Sequence, residues 1–517
     1  MALVKVNSVG QYGVVRDAFA SELPANAWSN GRNMRFRNGY AERMLGEAAV
    51  YDPPTVTPYH IQPLTTGTDR YAIYCGLNKI YAANGLTHTN ITRQTAGVDV
   101  SYNATADTRW NGGVLSGIAI LNNGVDDPQY WGGNVANKAA ALTAWPASTK
   151  CKVIRPFRQY LVALNITKGA SSYPYMVKWS HPADPGSLPS SWDQTDVTKD
   201  AGEFDLSEDP GFIVDGLALG ETFVVYKSNA YYAMQWTGGS YVFRFQKISD
   251  YDGALSTNCV AYYPGGHLVF GSNDVFTHAG GSPQSILTGV MREWLYANLD
   301  SDNYGRSFVA SNLGKNEIWI CFPESGQTSC NLAVVWNWKD NTTTIRTLPN
   351  ATASASAVLD YIAPATWDSD AGTWDSDTSY WNQNENTTSS ERLFLASANT
   401  KIYLEDSGAT FDGTTMQQSL ERDGIHMDAP EQVKLMKSIR PRIDAVPGAV
   451  INVYMGGALD QSSGTTWQGP YPFTVGTDYK VSGMATGRYL GVRFESTTNA
   501  QWRIKSFDVE FDMLGEY

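Results

Sequence analysis

The chain has 517 residues, with 38 Lys and Arg against 51 Asp and Glu, so its net charge is −13. That length allows two or three domains with a substantial core. The acidity excludes a general nucleic-acid binder, which needs a basic patch to displace phosphate counterions, but not a surface that DNA slides past, because like charges prevent sticking.

Only 17% of residues are charged, and 47 Gly, 29 Tyr and 16 Trp suit an all-β chain with many turns. The five cysteines (Cys75, Cys151, Cys259, Cys321, Cys330) are scattered and form no Cys-x-x-Cys pair. They read as buried free thiols of a protein folded in a reducing compartment. The opening Met1-Ala-Leu-Val-Lys-Val-Asn lacks the charged and apolar regions of a signal peptide. No stretch approaches the roughly 18 apolar residues of a membrane span. The expectation is a cytoplasmically made, soluble protein.

Residues 1–55 form a first β segment. In Met34-Arg-Phe-Arg37 apolar and cationic residues alternate, so one face is expected to be buried and the other to present Arg35 and Arg37. Asn38-Gly39 is a type I′ hairpin signal, with Tyr40-Ala-Glu-Arg43 returning. Arg32, Arg35, Arg37 and Arg43 form an arginine cluster open to phosphate, to solvent, or to acids of a neighbouring subunit. Asp52-Pro-Pro54 then breaks the chain.

Residues 56–430 carry a recurrent unit, an apolar strand running into a polar turn at asparagine. Copies are Tyr71-Ala-Ile-Tyr-Cys-Gly-Leu-Asn78, Phe223-Val-Val-Tyr-Lys-Ser-Asn229, Leu268-Val-Phe-Gly-Ser-Asn273 and Leu393-Phe-Leu-Ala-Ser-Ala-Asn399, with looser ones at Asn123, Asn165 and Asn316. Asparagine tolerates positive φ and can mimic a backbone hydrogen bond in such a turn. Asn78 to Asn123 is 45 residues, Asn123 to Asn165 is 42, Asn229 to Asn273 is 44 and Asn273 to Asn316 is 43. Asn165 to Asn229 (64) and Asn316 to Asn399 (83) break the rule. A period of about 40–45 residues is that of one four-stranded propeller blade. The spacing predicts a β-propeller of six or seven blades; the alternative is a large β-sandwich with coincidental spacing.

A Pro/Gly/Asp-rich insertion near 180–210 falls in the 64-residue interval and is expected to project from between blades. Leu332 to Trp338 and Thr342 to Arg346 read as a hairpin about Lys339-Asp-Asn341. The best candidates for helix are short, at 139–145 and 286–299. Residues 431–517 alternate as longer strands, with turns at Pro447-Gly448 and Gly469-Pro470. They predict a separate β-sandwich-like platform, completed by strands from the N-terminal segment.

Catalytic signatures are missing: there is no Gly-x-Ser-x-Gly, His-Glu-x-x-His or phosphate-binding Gly-x4-Gly-Lys-Ser/Thr motif. The six histidines (His60, His88, His181, His267, His278, His426) show no metal-ligand spacing and read as isolated surface or turn residues. Asp300-Ser-Asp302-Asn-Tyr-Gly305 starts like a calcium loop, but Ser311 stands where the bidentate glutamate should fall, so it reads as an Asp/Gly turn. The doubled Thr-Trp-Asp-Ser-Asp at 366–370 and 373–377 approaches the Asp box of sialidase propellers without matching it. A glycosidase needs two carboxylates about 5–10 Å apart, and no pair stands out among 51 acids. No cofactor is expected, and the protein is read as not an enzyme.

Several segments resemble the tail nozzle, or tail hub, proteins of short-tailed bacteriophages. They are Glu22-Leu-Pro-Ala-Asn-Ala-Trp28-Ser-Asn-Gly-Arg-Asn33-Met-Arg-Phe-Arg-Asn-Gly-Tyr40-Ala-Glu-Arg, Asn122-Asn-Gly-Val-Asp-Asp-Pro-Gln-Tyr-Trp131, Val335-Trp-Asn-Trp338, the doubled Thr-Trp-Asp, Leu404-Glu-Asp-Ser-Gly408 and Leu420-Glu-Arg422. In order they span nearly the whole chain. One departure is Thr342-Thr-Thr, where an aromatic often follows the Trp-Asn-Trp hairpin.

The resemblance implies a homohexameric ring below the portal and its adaptor protein, in the virion tail, enclosing and gating the DNA exit. Further implied partners are tail fibres or tailspikes, a tail needle or plug, and genomic DNA passing without specific binding. Trp28, Arg32, Arg35, Arg37 and Tyr40 are the candidate subunit or adaptor contacts. The rival reading is a propeller-fold carbohydrate-active enzyme or glycan-binding tail component.

Overall fold

The computed structural model describes residues 2–516 apart from 52, 68, 240, 251, 360–390 and 462. The doubled Thr-Trp-Asp-Ser-Asp lies outside the described residues.

The fold is nearly all-β and propeller-like. After the N-terminal strands come five consecutive four-stranded antiparallel meanders. The first is His60–Thr66, Asp69–Cys75, Ile80–Asn84, Thr87–Asn90, and the fifth is Val260–Tyr263, Gly266–Phe270, Val275–His278, Gln284–Ser285. The next runs Phe308–Asn312, Glu317–Phe322, Cys330–Asn337, Thr342–Ala357. That last strand is shared. Beyond Ala351 it turns to pair with Arg392–Ser397, then Lys401–Glu405, and the group is completed by Glu47–Val50 from the start of the chain.

First strands of successive groups touch in series, and Thr342–Ala357 returns to touch His60–Thr66, closing the ring. Neighbouring groups pack face to face. Ile73 and Leu121 belong to one apolar core, Leu164 and Phe223 to the next but one, and Tyr74 and Phe394 to the core that spans the closure. Middle strands such as Glu317–Phe322 are therefore buried on both faces, which explains their uninterrupted apolar runs.

Asn78, Asn123, Asn229, Asn273 and Asn399 all follow the second strand of their group, as the repeat reading requires. Asn165 and Asn316 do not. Asn165 (φ +56°) lies inside Tyr160–Lys168 at a bulge, where its side-chain N–H donates to Ile213 O at 2.9 Å. Asn316 (φ +60°) precedes the second strand of its group. These two misphased residues account in part for the irregular intervals. The rest of the 64-residue interval is the insertion, which lies within a sheet, between Ser171–Trp179 and Gly202–Asp205, and not between sheets as expected. It also folds back instead of projecting. Trp192 is buried edge-on against Trp145 with ring centroids 4.7 Å apart, because an indole left in water forfeits its large apolar area.

The chain termini share a β-sandwich. Ala2–Asn7, Met34–Arg37 and Tyr40–Arg43 join Gln432–Ala445, Val481–Gly487 and Trp502–Glu516 in one sheet. Asn30–Arg32 joins Gln418–Ile425, Tyr489–Ser496, Val450–Ala458 and Thr466–Thr474 in the other. The second sheet starts before residue 431, and through Arg32 opposite Ile345 it continues into the strand Thr342–Ala357. Gly469-Pro470, expected as a turn, lies inside Thr466–Thr474. The hairpin at Lys339-Asp-Asn341 forms as read, with Asn341 at φ +51°. Of the two helix candidates, 139–145 holds the short strand Ala140–Ala141, and 286–299 holds the helix Arg292–Asn298.

Candidate functional site

Asn38 (φ +52°) and Gly39 (φ +76°) give the two positive φ values of a type I′ turn and set the register Arg35 opposite Glu42, Arg37 opposite Tyr40. Met34 and Phe36 enter the sandwich core beside Trp28, whose indole packs 6.2 Å from Phe494 and 6.1 Å from Phe507 and donates its N–H to Val9 O.

Arg35 corrects the sequence reading. Its guanidinium is 3% exposed and is clamped by two carboxylates: it binds Glu317 through two nitrogens, and its Nη2 donates to Asp406 at 3.0 and 3.2 Å. Asn312 Nδ2 and Trp319 Nε1 donate to the same acids. Burial alone would push the Asp406 carboxyl up, but the Arg35 and Arg346 charges outweigh it and hold it at about 2. The alternation rule assumes one wet face, whereas at Arg35 this hairpin is covered on both faces. Trp28 and Arg35 are therefore spent inside the chain and cannot serve as subunit contacts.

Arg32, Arg37 and Tyr40 do reach the surface. Arg37 pairs with Glu42 at 2.5 Å, and the Tyr40 ring lies under Arg503 (5.1 Å) and Lys505 (5.5 Å). Arg503 is held in turn by Asp444 at 2.6 Å. Beside this ladder a shallow groove of about 520 Å³ runs between Glu42, Asp444, Val446 and Arg503.

A second buried cluster lies along the same seam. Arg346 donates to Glu405 at 2.6 Å and to Leu45 O at 2.9 Å, and its guanidinium lies 4.9 Å over the Trp319 ring. Glu47 sits directly opposite Glu405 across the strand pair that closes the ring. Burial, then the Glu405 charge, pushes the Glu47 carboxyl up to about 9 against the pull of Arg346, and burial also raises Glu405. At neutral pH the pair holds one proton, and Glu405 supplies the charge that answers Arg346. A carboxyl couple of this kind suits glycoside hydrolysis in principle, but both side chains are sealed from solvent.

Segments far apart along the chain meet at this seam. Arg35 reaches Asp406, Ser29 bonds Glu421 O, and Arg422 donates to Ala20 O and Leu23 O at 2.8 Å. Sequence reading gave no sign of Glu317, Glu405 or Arg346 as partners, since Arg346 and Glu405 stand 59 residues apart and Arg35 and Glu317 282.

Elsewhere the polar groups are consumed structurally. His60, His267 and His278 are buried, contrary to the surface expectation. His278 Nε2–H donates to the Tyr226 oxygen (2.6 Å), Tyr226 O–H to His267 Nδ1 (2.8 Å) and His267 Nε2–H to Ala218 O (3.0 Å), while Gly280 N–H fills His278 Nδ1. The direction of this chain follows from the carbonyl at its end, which can only accept. Asp300 accepts the backbone N–H groups of Asp302, Asn303 and Gly326, a turn arrangement. The cysteines are all buried, and burial raises the thiols of Cys259 to about 11 and Cys330 to about 12, so they are poor nucleophiles. Among the described residues no group of three or more His, Cys, Asp or Glu could hold a metal, and no helix is long and apolar enough to cross a membrane.

No protein-family model matches the chain, and no curated protein matches it. Solved structures similar to it include PorZ, a bacterial surface component of the type-IX secretion system of Porphyromonas gingivalis (8% identity, TM-score 0.38, covering 73% of this chain and 42% of that one). Others are the WD40 β-propeller domain of Doa1 (9%, 0.33, 71% and 96%) and the extracellular domain of a putative hybrid two-component system from B. thetaiotaomicron (7%, 0.36, 70% and 41%). The chain thus spans under half the length of two of these three.

Proposed function

We propose that the protein is a structural subunit of a tail nozzle, with a seven-bladed propeller mounted on a platform made from both ends of the chain. Six copies form a ring below the portal and adaptor that encloses and gates the DNA exit, and no bond chemistry is involved. The observation that carries this reading is the convergence of several of the resembling segments, where Trp28 and Arg422 fix the N-terminal segment to the terminal sandwich and Arg35, through Asp406, ties that sandwich to the propeller. Segments scattered from residue 22 to residue 422 that meet in one joint are what a rigid ring subunit needs. The platform also leaves Leu3, Tyr479, Met484 and Leu514 exposed, which suits burial against a neighbour. Native mass spectrometry and negative-stain imaging of the purified chain test the proposal. A six-fold ring with an axial opening supports it; a monomer or trimer that cleaves polysaccharide refutes it.

One observation favours the glycan-binding reading. A cavity of about 400 Å³ under the insertion is lined by Lys178, Ser191, Trp192, Asp193 and Gln194, and the buried Trp192 Nε1–H has no acceptor. Saccharide binding abolished by Gln194→Ala would support that reading; no binding across a panel of bacterial surface glycans would end it.

A further inference from the structure

The ring of first strands lines a half-open cavity of about 250 Å³ among His60–Thr66, Ile213–Leu219, Val260–Tyr263, Phe308–Asn312 and the far end of Thr342–Ala357. Its lining is cationic. Arg155 is answered by Asp215, through Nε at 3.0 Å and Nη2 at 2.9 Å, and by Asn258 Oδ1 at 2.8 Å. Arg109 is not answered. Its one hydrogen bond is long, from Nη2 to Thr352 O at 3.5 Å, and its Nε–H is sealed from solvent without an acceptor. Among the described residues no carboxylate is ion-paired with it. His60, 8% exposed, lines the same cavity and has a sealed Nε2 with no partner. Burial, then the Arg155 and Arg109 charges, holds its ring down to about 3, so it is neutral at physiological pH.

Two guanidiniums against one carboxylate leave an excess positive charge in a half-open cavity, together with two orphaned ring and guanidinium nitrogens. Buried polar atoms in native folds are almost always partnered by protein or ordered water, so these two nitrogens, side by side with an unanswered charge, are open to a further acceptor. A guanidinium fork matches two oxygens of one anion, and a charge-assisted bond of this kind is stronger in a low-dielectric site than in water.

We propose that this cavity is a binding site for a small oxyanion of the phosphate class, held by the Arg109 fork with His60 Nε2 and the Ser354 hydroxyl beside it. The site belongs to a single chain, so it stands or falls independently of the ring assembly.

The test uses the full chain and inorganic phosphate, with chloride at matched ionic strength as reference and sulfate and acetate as parallel arms. Wild-type protein should show saturable broadening of the phosphate ³¹P resonance and a phosphate-dependent rise in melting temperature. Arg109→Gln should weaken the apparent affinity by about tenfold or more. Arg109→Lys, which keeps the charge and loses the fork, should fall between. Arg158→Gln removes an arginine paired with the exposed Glu221 and outside the cavity lining, and it should leave binding unchanged. Binding of acetate in preference to phosphate would reassign the class to carboxylates and overturn the proposal as stated. So would the absence of saturable binding to the wild type, or undiminished binding by Arg109→Gln. The wild-type titration decides the matter even where a variant fails to fold.

Discussion

The closure of the ring at Glu47 and Glu405 makes stability depend on pH in an unusual direction. The folded chain keeps a proton on Glu47 up to about pH 9, because burial and the facing Glu405 charge oppose ionisation. The unfolded chain releases that proton near the ordinary glutamate value of about 4.5. Between these limits the folded state binds one more proton than the unfolded state, so stability falls as pH rises, by up to about 1.4 kcal/mol per unit. From pH 5.5 to 8.5 the loss amounts to roughly 4 kcal/mol as an upper figure. Glu47→Gln removes the titration while keeping the shape and an N–H that can donate to Glu405. With an unfolding entropy of about 2.1 cal/mol/K per residue over 517 residues, 1 kcal/mol moves the melting temperature by about 1 °C. The variant should therefore melt up to about 4 °C above wild type at pH 8.5 and converge with it near pH 5. Hydrogen exchange of the Glu47–Val50 amides, compared at equal pH, should show the same ordering. Glu405→Gln should behave differently, since it strips the charge answering Arg346 and destabilises at every pH by roughly 3–5 kcal/mol. Parallel melting curves for wild type and Glu47→Gln across this range would refute the shared-proton account.

Arg35→Met should cost roughly 3–5 kcal/mol in chemical denaturation, because Glu317 and Asp406 are left buried without their cation; an unchanged midpoint would show that the seam is not held by this cluster. Stability should fall as pH drops from about 6.5 toward 4, since the folded chain keeps His267 at about 4 and His278 at about 3, below their unfolded value, and must take up protons to unfold. His278→Gln should flatten that acid slope while costing roughly 1–3 kcal/mol at pH 7, read by melting at several pH values. Tyr40→Ala combined with Arg32→Ala and Arg37→Ala should leave the melting temperature within a few degrees of wild type, since exposed substitutions cost about 0.5 kcal/mol or less each. The same triple variant should disrupt ring formation in native mass spectra; intact rings would remove the hairpin surface from the subunit contact.

The parts of this fold legible in sequence are those set by neighbours along the chain. Asn38-Gly39 dictates its own turn, and the asparagine after the second strand suits a tight polar turn through its side chain, as where Asn123 Oδ1 accepts the backbone N–H groups of Val125 and Asp126. What could not be read depends on pairing across hundreds of residues. The alternation of Met34-Arg-Phe-Arg37 was sound as a strand signal, yet the dry environment of Arg35 is fixed by Glu317 and Asp406, which arrive from other sheets. Glu47–Val50 carries no mark of joining Lys401–Glu405, because an edge strand is selected by the open edge awaiting it and not by its own sequence.

Those two failures share a cause that bears on how the molecule works. A ring of sheets closed by a strand from the other end of the chain cannot open at that point without freeing residues 44–50, and these lead directly into the hairpin clamped by Arg35. Closure of the propeller-like body and docking of the terminal sandwich are thus mechanically coupled through one short segment. Its polar groups, Arg35, Glu47, Arg346, Glu405 and Asp406, are costly to bury and gain their full compensation only when every partner is in place. A buried ionic seam of this kind is a poor source of net stability and a strong selector of a single arrangement, since each partly docked alternative leaves a charge stranded. Load applied to the terminal sandwich should therefore be borne by the closing strand first, and Arg35→Met should loosen exchange at Glu47–Val50 before it affects the Val224 amide in a distant sheet.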